Sequence, residues 1–294
     1  MRITACERSV TRGILLLLTV FPCLASPETP VSPNELVRRT VQNEIKASSG
    51  PSNYMFKDHK ETPGGSQTKL VVETQDATAG LLIAINGKPL SPEQHEAEIA
   101  RIERFVNNPE ELKKKKKQEK EEAERVTRIM KALPDAFLYQ NDGTETGTSG
   151  LGKAGAELVR LKFRPNPDYT PPTHTEQVLT GMSGFLLIDA NRNRIAKIDG
   201  TLMKDVGFGW GILGHLDKGG RFLVEQTDVG NDHWEISHME LAFTGKVLLF
   251  RNLNIESKES YSDFRQVPYN LTFAQGVDLL KKQEAELAQN HPEN

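Results

Sequence analysis

Cysteine is almost missing from this chain of 294 residues: Cys6 and Cys23 are the only two, and both fall within the first 25 positions. Beyond them the scarcity excludes a disulfide framework, thiol catalysis and cysteine-ligated zinc. Aromatic residues are few, at 6%. Charge of one sign is missing too. The 37 basic and 40 acidic residues leave a net charge of −3, which makes no case for nucleic-acid binding. With 37% hydrophobic residues, that near-neutrality argues against wholesale disorder. Long apolar runs are also wanting. Gly13–Ala25 is the apolar stretch of the N-terminus, and it is too short to cross a bilayer core of ~30 Å. The composition therefore excludes a collagen, a coiled-coil rod and a multi-span membrane protein.

What that stretch does fit is a secretory signal peptide over residues 1–25. Arg2, Arg8 and Arg12 supply the positive start, and Cys23-Leu24-Ala25 places small residues for a cut between Ala25 and Ser26. An uncleaved anchor and a lipoprotein acylated at Cys23 are the alternatives, although Phe21 and Pro22 stand where a lipobox needs small residues. Removing Arg2, Arg8, Arg12 and Glu7 from 37 basic and 40 acidic residues leaves 34 and 39, with no cysteine. The expected location is the periplasm or the exterior.

Ser26–Val31 is a Pro-rich leader. Ser32-Pro33-Asn34-Glu35 then predicts a helix start, with a capping serine and proline at the first helical position. The helix should run to about Ala47 with Leu36, Val37, Val41 and Ile45 on one face. From Ser52 the hydrophobic period becomes two, and residues 26–90 read as this helix plus the first strands of a β-domain, with Asn86-Gly87 as a hairpin turn. Residues 91–133 differ: 21 of the 43 are charged, 11 basic and 10 acidic, and Ser91-Pro92-Glu93-Gln94 again signals a helix start. This charged helical insertion should break at Asn107-Asn108-Pro109. Its sparse apolar residues, among them Ile99, Phe105, Ile129 and Met130, leave little surface to bury, so it is expected to be dispensable for folding. Lys113–Lys117 reads either as a basic contact or as a solvated face paired by neighbouring glutamates.

Residues 134–268 resume the strand pattern. Gly155–Arg164 is the clearest case, with Val159, Leu161 and Phe163 on one face and Arg160 and Lys162 on the other. Short turns throughout imply antiparallel pairing. The expected class is mainly β (α+β): an antiparallel, unclosed β-barrel or curved sheet of about ten strands. Residues 269–294 form a C-terminal helical tail, expected as a short fraying helix over Leu279–Ala288.

Motifs for chemistry are weak. His233 and His238 are five apart, which on a strand sets them on opposite faces. Gly181-Met-Ser-Gly184 lacks the Gly-x-Ser-x-Gly spacing and precedes a strand where a nucleophile elbow needs a helix. Gly150-Leu-Gly-Lys153 lacks phosphate-loop spacing. No enzyme, cofactor or metal is expected. The segment around Phe208 and Trp210 interleaves bulky apolar groups with Gly207, Gly209, Gly211 and Gly214. It reads either as a sheet corner on the core or as a mobile lid over an apolar groove.

Ile195–Gly200, Arg221–Thr227, Trp234, Leu248–Phe250 and Tyr261–Arg265 occur in an order that resembles exported bacterial proteins of the outer-membrane lipoprotein-sorting-like group, of LolA/LolB type. The segment Gly87–Pro92 ahead of the insertion also fits, and the resemblance spans about residues 33–268. It implies an unclosed barrel wrapped around helices, an apolar cavity for acyl chains and no catalytic residues. The 43-residue insertion is an addition such a carrier does not need.

Two functions are therefore expected. One is a periplasmic, non-enzymatic lipid- or lipoprotein-binding protein. Its candidate ligand-binding residues are Phe163, Phe185, Phe208, Trp210, Phe222 and Trp234, and it makes at most transient membrane contact. The other is a cell-envelope interaction or structural module with a filled barrel and the insertion as partner surface. An apolar cavity of ~300 Å³ or more separates them.

Overall fold

A computed structural model describes residues 31–50, 53–208, 214–247 and 251–290. The signal-peptide reading, the Ala25/Ser26 cut and Trp210 lie outside the described residues. Ser32 caps α1 (Pro33–Ser48) by accepting from the Glu35 amide. Ser91 and Gln94 form a reciprocal capping box at the start of α2 (Pro92–Asn107). Asn108 breaks the insertion by capping α3 (Pro109–Ala136), accepting from Glu110 and Glu111. Helix α3 runs through Pro134 rather than stopping there, because side chains from elsewhere take up its last carbonyls. Tyr139 donates to Leu133 O, Asn34 to Pro134 O and Asn166 to Asp135 O.

The strands form one antiparallel, unclosed sheet of thirteen. A first meander comprises β1 (Tyr54–Thr62), β2 (Gly65–Val72), β3 (Ala79–Ile85) and β4 (Lys88–Pro89). A second comprises β5 (Phe137–Thr146), β6 (Glu157–Pro165), β7 (Met182–Asp189) and β8 (Arg194–Leu202). Strands β11 (Arg221–Gly230), β12 (His233–Val247) and β13 (Arg251–Gln266) join them, since β13 pairs with β1 and β11 with β8. The path begins at β4 and ends at β5. The short β9 (Val206–Phe208) and β10 (Gly214–Leu216) lie off it, with β10 against the far end of β12. Strand count exceeds the expected ten because β4, β9 and β10 have only two or three residues each. Strand β12 continues to Val247 and pairs there with Arg251 of β13.

Two cores sit on this sheet. In the first, α1 and the C-terminal part of α3 bring Val37, Val41 and Leu133 against Phe137, Leu161, Leu186 and Leu202. In the second, Ile102 of α2 and Phe273, Val277 and Leu280 of α5 (Phe273–Asn290) pack on Leu70, Val72 and Leu81. The tail helix starts at Phe273, ahead of the expected Leu279–Ala288, and a helical stripe at Phe273, Val277 and Leu280 docks it. The few apolar residues of the insertion are packed rather than solvated: Ile99 and Phe105 lie on the second core and Ile129 and Met130 on the first.

The insertion's charges also have a place. Strand β3 meets only two residues of β4, so most of one edge would otherwise stay open. Glu98 accepts from the Leu82 amide at 2.7 Å, Glu119 from the Thr78 amide at 3.0 Å, and Arg101 donates to Gly80 O at 2.8 Å. Charged side chains of α2 and α3 thus cover that edge.

Candidate apolar binding site

The register across the second meander builds the site. One row of neighbours runs Tyr139, Phe163, Gly184, Gly200, Phe222 and Leu241. The two glycines leave a gap between two phenylalanines, and the Phe163 ring leans into it. Its Cζ stands 3.4 Å from where a Gly200 Cβ would be. The next row on this face brings Leu161, Leu186 and Ile198 together. Above these rows lies a cavity of about 420 Å³. Helix α3 walls it with Val126, Ile129, Met130 and Leu133, spaced at helical intervals. Phe208 of β9, Leu216 of β10 and Phe243 from the far part of β12 line another side.

The lining is apolar apart from three residues. Tyr139 is one, and its hydroxyl is committed to the Leu133 carbonyl at 2.8 Å. Burial, with a smaller contribution from Asp135, pushes that phenol far above its ordinary range, so it stays neutral. The others are His174 and Thr175, at the start of the short helix α4 (His174–Gln177). His174 is exposed, so the cavity reaches the surface there.

Of the candidate residues, Phe163, Phe208 and Phe222 line this cavity together. Phe185 does not. It is adjacent to Gly184, and alternation turns it to the opposite face, where the Arg160 guanidinium lies 3.6 Å from its ring centroid. Trp234 packs with Leu158, Leu187 and Ala196 in a small third cluster. The sequence reading missed the contribution of α3. Its signal was there, since Val126, Ile129, Met130 and Leu133 follow the i, i+3, i+4, i+7 spacing of a buried helix face.

A second pocket of about 510 Å³, which mixes charged side chains with apolar ones, adjoins the first, and Val126 and Met130 line both. Its centre is a buried ion pair. Glu44 accepts from Arg194 Nε at 3.0 Å and from the Ile195 amide at 2.7 Å. Burial raises the Glu44 carboxyl above its ordinary range, and the Arg194 guanidinium opposes that rise. Asp232, His233, Trp234 and Glu235 complete the rim, with His233 stacked on Tyr54 at 4.5 Å.

Ser183 is the second residue of β7, paired with Thr201, and lines neither pocket. His238 bonds Glu240 at 3.0 Å, apart from His233. Among the described residues no group of three His, Cys, Asp or Glu side chains could hold a metal ion. Among them also, no helix is long and apolar enough to cross a membrane.

No protein-family model matches the chain, and no curated protein matches it in sequence. Among solved structures, a DUF1329 family protein from Desulfovibrio piger is similar over 83% of this chain and 98% of its own. The identity is 8% and the TM-score 0.25.

Proposed function

We propose that this protein is a non-enzymatic carrier or sensor that holds an acyl chain of a lipid or lipoprotein in the cavity between α3 and the β5–β8 meander. The observation that carries the reading is the cavity itself: about 420 Å³, walled by aliphatic and aromatic side chains and open to the surface beside His174. That volume lies within the usual range for small-molecule sites. Apolar walls with few polar groups suit a hydrocarbon chain and offer little to a polar metabolite. A module with a filled interior would have no such space. The residues on which the LolA/LolB-type resemblance rests contribute to this wall through Ile198 and Phe222. The N-terminal signal would deliver the protein to the periplasm, where acyl chains in transit need shelter from water.

Native mass spectrometry of the protein purified from its own cells tests the reading. A bound species that leaves on mild activation and is identified as a lipid is the expected result. Only ligand-free protein, from several growth conditions, would count against it.

A further inference from the structure

We infer that the occupant carries two acyl chains, one in the cavity and the other laid on the open inner face of β12 and β13. This rests on the acyl-chain reading above. The apolar surface does not end at the cavity wall. Register carries it onward, because Ile198 pairs with Val224, Val224 with Met239, Phe222 with Leu241, and Phe243 with Ile255. Ile198, Phe222 and Phe243 line the cavity, whereas Val224, Met239, Leu241 and Ile255 do not.

The alternation in these two strands is that of a sheet with one covered face. Along β12, Met239, Leu241 and Phe243 share the cavity side, and Glu240, Ala242 and Thr244 turn away. Along β13, Leu253 and Ile255 alternate with Asn252, Asn254 and Glu256. Such a pattern calls for apolar cover on one side. Yet Met239, Leu241, Leu253 and Ile255 join none of the three hydrophobic clusters among the described residues, and Ile255 is 40% exposed. Met239 and Phe243 bracket a strip ~14 Å long, at ~3.4 Å per residue. The strip stops at a polar row, where Glu259, the neighbour of Met239, accepts from Lys60 at 2.6 Å. It meets the cavity at Phe222 and Phe243, so two chains from one head can occupy both at once. Covering this face with hydrocarbon removes apolar surface from water.

Displacement of a fluorescent fatty acid by two competitors with the same head and chain length tests this. Dioctanoylphosphatidylglycerol should displace the probe at about hundredfold lower concentration than octanoyl-lysophosphatidylglycerol. Ile255→Glu and Ile255→Lys, at an exposed position off the cavity wall, should each cut that advantage to about tenfold or less and leave the lysolipid unchanged. Agreement between the two opposite charges shows that the effect is not the head's. Equal displacement by both competitors, an advantage that both variants leave intact, or loss of lysolipid binding in both variants would overturn the inference while leaving the acyl-chain reading standing. Absence of any saturable probe binding would overturn both.

Discussion

Gly184 and Gly200 face each other in the sheet with Phe163 and Phe222 beside them, and the cavity floor depends on their lacking side chains. A Cβ on Gly184 would stand 1.8 Å from the Asp199 carbonyl oxygen, a backbone atom that cannot rotate away. Gly184→Ala should therefore cost more than the ~1–3 kcal/mol typical of overpacking. Chemical denaturation measures this, and a midpoint equal to wild type would show that the strand shifts freely. Glu44 makes a second residue-scale case. Its carboxyl is raised by burial, so the proton is held more tightly in the folded than in the unfolded state. The stability it contributes is full below the ordinary carboxylate range and is lost as pH rises through the raised value. Glu44→Gln removes this dependence, so the stability deficit of the variant should shrink as pH rises above the ordinary carboxylate range. A deficit that widens over that range would mean the carboxylate is stabilised by folding. At this scale the sequence is legible only in part. Alternation in Gly155–Arg164 reveals that Phe163 shares a face with Leu161. Nothing local reveals that Phe185 faces the other way from Phe163, because the two meet only through the β6–β7 register.

The elements that announce themselves do so through capping chemistry. Ser32-Pro33 and Ser91-Pro92-Glu93-Gln94 are readable because a helix start needs only a few adjacent residues. The role of the insertion is not readable in the same way. Its high charge suggests a solvated appendage, yet Glu98, Arg101 and Glu119 bond the exposed edge of β3. Its few apolar residues are concentrated at the two docking sites. Ile102 is 1% exposed and Leu133 6%. Fully burying such a side chain contributes ~1.5–3 kcal/mol, and several are lost together with the insertion. Replacing residues 91–133 by a short Gly/Ser linker should abolish cooperative unfolding, as followed by circular dichroism during heating. A melting temperature within a few degrees of wild type would mean that the insertion is dispensable for folding. The C-terminal helix carries the same lesson. Phe273 and Val277 lie ahead of the expected Leu279–Ala288 helix, and their partners on β2 and β3 are some 200 positions away in the chain.

For the molecule as a whole, fold class was the most legible feature. Short turns between alternating segments force antiparallel pairing, and the sheet is antiparallel throughout. Its closure order was not legible, because β1 pairs with β13 across the length of the domain. Cavities are harder still to read, since they arise where side chains from distant elements fail to meet. Here α3, the glycine pair and strands β9 and β10 together leave space that no one of them encodes. The central claim is that this space holds an acyl chain. Each buried methylene contributes ~0.8 kcal/mol, so ten give ~8 kcal/mol before the cost of association, a micromolar ceiling. Titration of the purified protein with fluorescent fatty acids of increasing chain length tests this most directly. The account predicts saturable binding that tightens with each added methylene until the cavity is full and then levels off. Failure to saturate at any chain length would contradict it.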